Sequence, residues 1–183
     1  MDEFWIFGYG SLMWNPGFAT HRRMPARLAG YHRSLCVYSH VHRGTAHKPG
    51  LVLGLDRGGF CEGVALAARV KDEEEILAYL RGRELVTRVY RELVLPVRLS
   101  SGENVPAITY VVDHAHEQYA GKLDLDHAAE LVRGGHGQSG PNRDYLLNTV
   151  DHLREMKIND AALETIAGLL KNEQPRPVRK DGL

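Results

Sequence analysis

Apolar positions along this chain change their period about two thirds of the way through. Up to residue 112 they come in short β-branched and aromatic runs set off by glycine, at 4–7, 35–39, 51–55, 63–70, 89–97 and 105–112, a pattern that predicts strands. One helical segment interrupts them, over 72–84, and from about residue 126 the period becomes 3.6, predicting helices over 126–133, 141–156 and 160–171. Pro141 suits the first turn of its helix, where its missing N–H would have had no partner, and Asp160 suits an N-cap. Strands first and helices afterwards argue for an α+β domain rather than a repeating βαβ array.

Within the 72–84 helix, Ile76, Leu77 and Leu80 share a face, and a four-residue step from Leu80 lands on Glu84. Glu74 and Arg81 fall towards the other side. A carboxyl group on the apolar stripe, near the negative end of the helix dipole, is expected to have a raised pKa and to be poised for proton transfer. The other reading pairs it with Arg83, Arg88 or another cation as a structural ion pair.

The first apolar run enters "FGYGSLMW", residues 7–14. A dinucleotide fingerprint would need a third glycine at Met13 and a helix after Ser11, and a Walker A loop would need a terminal Gly-Lys-Ser/Thr. A nucleophile elbow fails too, because Tyr9 and Met13 stand two places either side of Ser11. Glycines at 8 and 10 still allow successive backbone amides to converge on a small anion, for which a carboxylate is suitable, and an ordinary tight turn is the alternative.

At 183 residues the chain suits one domain, expected over 1–173, with the proline-containing, mixed-charge 174–183 as a loose tail. Lysine plus arginine and aspartate plus glutamate each number 23, so nothing favours nucleic acid or anionic lipid as a partner. A monomer is compatible with that balance. Cys36 and Cys61 lack zinc or redox spacing and read as buried reduced thiols. Neither a leader nor a bilayer-length apolar run is evident, which points to the cytoplasm. Ten histidines include His40, His42 and His47, and the pair His114 and His116. Two strands could assemble three or four of them on one face, but no His-Glu-x-x-His helix accompanies them, so solvated or core histidines are expected and no metal.

In order along the chain, "FGYGSL" followed by Trp14, "HRG" at 42–44, "KPG" at 48–50, "YLRGRE" at 79–84 and "SGPNRDYL" at 139–146 resemble the γ-glutamylcyclotransferases of the ChaC type. The resemblance implies a small mixed β-barrel flanked by helices and no cofactor. It also implies cleavage of a small-molecule γ-glutamyl substrate, glutathione first, to 5-oxoproline and cysteinylglycine. It makes Glu84 the catalytic acid and base, and assigns the glutamyl end to Gly8, Tyr9, Gly10, Ser11, Leu12 and Met13. Tyr145 is expected in the same pocket, and Arg43 against a substrate carboxylate or in a surface ion pair.

Two stretches depart from the family pattern. "HRSLCVYS", residues 32–39, carries no tryptophan where an aromatic-rich stretch is usual, and "QYAGKL", residues 118–123, replaces a "YLGP" segment. Both bear on the leaving group rather than on cyclisation. Another γ-glutamyl amine is therefore the alternative substrate, and a non-catalytic binding domain the alternative class.

Overall fold

The computed structural model describes residues 2–172; the tail expected at 174–183 lies outside them. Its first strand, β1 (Glu3–Gly8), pairs antiparallel with β3 (Gly50–Arg69) and parallel with β5 (Asn104–Val112). The strand β2 (Arg22–Ser39) lies between β3 and β4 (Tyr90–Leu99), and β4 pairs with β5, closing the barrel in the order β1-β3-β2-β4-β5. Trp5 to Gly8 and Val64 to Ala68 are buried without interruption, so these paired segments are covered on both faces, the inner one by closure of the barrel.

The sequence runs at 51–55 and 63–70 belong to one strand, and β2 begins well before the run at 35–39. Inward-facing Ala26 and Leu28 alternate with exposed Arg27 and Ala29, but Pro25 and Gly30 interrupt that pattern for a reader of the sequence. The hairpin bends where the register shifts between Ala29 and Tyr31. Gly30 there has a φ of 85°, opposite Gly58 and Gly59, whose φ values are 97° and 66°; a side chain at these positions would be strained.

Beyond this bend, β3 leaves an edge that β1 does not cover, since β1 pairs only with Val64 to Arg69. Unpaired backbone groups on such an edge need other partners, and helix α3 (Asn142–Glu155) supplies several of them. The Asn142 amide accepts from Leu51 N–H at 2.7 Å and donates to Leu51 C=O at 2.8 Å. One helical turn on, the Tyr145 hydroxyl accepts from Leu53 N–H at 3.0 Å, while Tyr90 of β4 donates to Leu53 C=O at 2.6 Å. The "NRDY" stretch thus docks α3 on the open edge through residues three apart.

Two further helices, α2 (Leu125–Gly134) and α4 (Ala161–Lys171), pack with α3. Asp124 and Asp160 cap α2 and α4 by accepting from the N–H groups of His127 and Leu163. Between α2 and α3 the glycine-rich 133–140 segment forms a two-residue hairpin whose Gln138 and Ser139 amides donate to the carbonyls of Val41 and His42. Helix α1 (Glu73–Glu84) links β3 to β4 and buries Ile76 and Leu80.

Candidate active site

Where β1 ends, the chain doubles back so tightly that a Cβ on Gly8 would lie 3.1 Å from Leu12 Cβ and 3.3 Å from Met13 N. Gly10 has a φ of −132°, ordinary extended backbone, and a Cβ there would meet only Leu53 at 3.7 Å. The need for glycine in this loop is therefore one of close approach at residue 8. A single 3-10 turn follows over Ser11–Met13, with Met13 N–H donating to Gly10 C=O at 2.9 Å.

Three arginines hold this loop. Arg33, itself buried, donates from Nε to Tyr9 C=O at 2.6 Å and from Nη2 to Glu62 C=O at 2.6 Å. Arg23 donates to Met13 C=O. Arg83, the next-to-last residue of α1, donates to Ser11 Oγ at 2.7 Å and to Asn15 C=O at 2.8 Å. With these carbonyls engaged outward, Gly10, Ser11 and Leu12, whose amides precede the first bond of the turn, line a cavity of about 100 Å³.

Glu84 faces the loop across that cavity, whose remaining lining includes Tyr9, Leu53, Tyr90, Tyr110 and Tyr145. Burial pushes the Glu84 carboxyl above its ordinary pKa, against the opposing effect of the Arg83 guanidinium, whose Nε lies 3.3 Å from Oε1. The tyrosine hydroxyls are held neutral, with burial the main cause in each case. Because Tyr145 accepts from Leu53, its own hydroxyl proton is left for an acceptor in the cavity.

Six of the residues singled out from the sequence, Tyr9, Gly10, Ser11, Leu12, Glu84 and Tyr145, therefore line one cavity. Three do not. Gly8 sits behind the turn it permits, and Met13 is fully buried with its N–H spent on Gly10. Arg43 donates to Ser139 C=O at 2.6 Å and lies over the Tyr145 ring, 5.4 Å from its centroid, so its charge supports a lining residue from outside. The sequence reading missed Tyr90, Tyr110 and the anchoring roles of Arg23 and Arg33. It weighed Arg83 against proton transfer as alternatives for Glu84, yet the ion pair and the cavity-facing carboxyl coexist.

The clustered histidines are used individually. His114 Nε2 lies 2.6 Å from Asp56 Oδ1, and His42 Nδ1 lies 3.1 Å from Ser139 Oγ. Among the described residues no group of three or more His, Cys, Asp or Glu is placed to hold a metal ion. Cys36 and Cys61 are free and buried, with burial pushing their thiols up to about 12 and about 11. No helix among the described residues is long and apolar enough to cross a membrane.

A five-stranded closed barrel with this arrangement of helices is the fold of the γ-glutamylcyclotransferases. The crystal structure of a γ-glutamyl cyclotransferase specific to glutathione from yeast matches it with a TM-score of 0.82 at 22% identity, covering 93% of this chain and 96% of that one. A family model described as ChaC-like protein matches residues 4–173. Among curated relatives, the glutathione-specific gamma-glutamylcyclotransferase of Escherichia coli K12 is 34% identical over 182 residues, 97% of this chain and 79% of its own. Glutathione-specific gamma-glutamylcyclotransferase 1 of mouse is 34% identical over 154 residues, 82% of this chain and 69% of its own. The chain belongs to the ChaC-like family.

Proposed function

We infer that this protein is a γ-glutamylcyclotransferase that cleaves glutathione to 5-oxoproline and cysteinylglycine. The observation that carries the reading is a half-buried carboxyl, Glu84, with a raised pKa, facing the glycine loop across a small cavity. The names of the curated relatives support glutathione as the substrate.

The reaction needs no enzyme nucleophile. The substrate's α-amine attacks its own δ-carbonyl, forming the lactam C–N bond, and the bond to the cysteinyl nitrogen breaks as the tetrahedral intermediate collapses. Glu84 as carboxylate takes a proton from the attacking amine and returns it to the leaving nitrogen, so one group serves as base and then acid. The amides of Gly10, Ser11 and Leu12 and the Ser11 hydroxyl grip the α-carboxylate, which holds the amine near the δ-carbonyl. Tyr145 and Tyr9 bound the same space, and Tyr145 has a proton to offer the oxygen that gains charge.

Incubating the purified protein with glutathione and a panel of γ-glutamyl dipeptides and amines, and measuring 5-oxoproline, tests the reading. Release from glutathione well above the others is expected. Preferential release from another amine would transfer the assignment to that substrate, and no release from any would make the chain a binding domain.

A further inference from the structure

Arg83 directly precedes the acid in sequence, and its guanidinium meets two sides of the cavity at once. One arm, Nη1, donates to Asn15 C=O at 2.8 Å, Pro16 C=O at 3.3 Å and Tyr79 Oη at 3.2 Å. The other, Nη2, donates to Ser11 Oγ at 2.7 Å, while Nε lies 3.3 Å from Glu84 Oε1. A guanidinium has no acceptor, so Ser11 Oγ must accept from it and turn its own proton elsewhere. We propose that Arg83 is a positioning residue for the cyclisation, tying the loop that grips the glutamyl end to the helix end that carries Glu84 and presenting Ser11 as a donor. The proposal rests on the functional reading above only for its kinetic consequences.

The groups around Glu84 make the charge of Arg83 separable from its bonds. Tyr9 from the loop, Tyr90 of β4, Tyr110 of β5 and Tyr145 of α3 share its electrostatic surroundings, and all are neutral at ordinary pH. Glu92 of β4, behind Tyr110, is engaged by Arg81 at 2.7 Å. Arg83 is thus the cation acting on Glu84 among the described residues. A lysine keeps that charge but lacks the planar fork whose two arms hold Ser11 and the Asn15 carbonyl.

The test compares wild type, Arg83→Met and Arg83→Lys in two measurements: the pH dependence of kcat/KM for glutathione, and the ¹³C NMR titration of the Glu84 carboxyl, which needs no turnover. For Arg83→Met, kcat/KM should fall roughly tenfold to a hundredfold, and both the acid limb of the profile and the NMR midpoint should move to higher pH. Arg83→Lys should keep the midpoint near that of wild type yet lose kcat/KM to a similar degree. Amide exchange in residues 9–15 should quicken in both variants. An unchanged midpoint in Arg83→Met, or wild-type kcat/KM in Arg83→Lys, overturns the proposal; the lysine variant decides the matter if the methionine variant does not fold. Should wild type release no 5-oxoproline, the functional reading fails, while the NMR midpoint and the amide exchange still decide the role of Arg83.

Discussion

Two carboxyl groups in this protein are withdrawn from water to similar degrees and behave in opposite ways. The Asp56 side chain is 11% exposed and that of Glu84 is 20% exposed. Burial raises the pKa of both, but at Asp56 it is outweighed by hydrogen bonds from His114, from Arg57 N–H at 2.8 Å and from Tyr119 Oη at 3.0 Å, and the net shift is downward. Glu84 has only Arg83 to oppose burial, and its net shift is upward. A carboxylate whose lone pairs are filled by the protein is a fastener: His114 stacks on Tyr119 with centroids 4.2 Å apart, and Asp56 pins both to β3. One left short of partners beside a cavity is free to exchange a proton with a guest.

Breaking the comparison at its chemical end should produce the largest effect. Glu84→Gln is expected to lower 5-oxoproline release from glutathione by about a hundredfold to ten-thousandfold with the circular dichroism spectrum unchanged; turnover close to wild type would remove Glu84 from the mechanism. Ser11→Ala removes a hydroxyl on the cradle side of the same cavity. A hydrogen bond to a charged group contributes about 1.5–3 kcal/mol, so steady-state kinetics should show KM rising roughly tenfold to a hundredfold.

At the other carboxyl the expected loss is in stability. Asp56→Asn should cost about 1–3 kcal/mol in urea unfolding and leave turnover essentially as in wild type. The smallest effect concerns pH. Because the folded-state pKa of Glu84 is raised, its ionisation at neutral pH opposes folding, so Glu84→Gln should increase Tm at pH 7. That gain should shrink as pH falls and vanish below about pH 4, where the carboxyl is protonated folded or unfolded. Asp56 has the opposite sign: its lowered pKa adds stability above about pH 4, lost as pH falls through its folded value. Melting curves of both variants from pH 3 to 8 would separate the two behaviours, and parallel curves would erase the distinction.

The expected parts of this site were those that follow from local spacing. Glu84 was legible because a helix places every fourth residue on one face, and the loop because paired glycines after a strand permit a tight reversal. Tyr145 and Arg43 came from family resemblance, and only the first of them reaches the cavity. Arg43 was expected against a substrate carboxylate or in a surface ion pair; what engages it in the fold is the Ser139 carbonyl, 96 positions away in the chain. The continuity of β2 and β3 was hidden for a related reason, since Pro25, Gly30 and the 58–59 glycine pair read as strand ends until a partner strand bends with them.

What the order of residues determined by itself was the α+β class, the helix that carries Glu84, the reversal after β1 and the family. These depend on periodicity and on steric rules that act within a few residues. The closed barrel decided the rest: which carbonyls Arg23, Arg33 and Arg83 would take, which edge of β3 would stay open for Asn142 and Tyr145, and which carboxyl would be left with too few partners. Such pairings depend on where distant strands meet, and a buried polar group accepts whatever partner that meeting brings within hydrogen-bond reach.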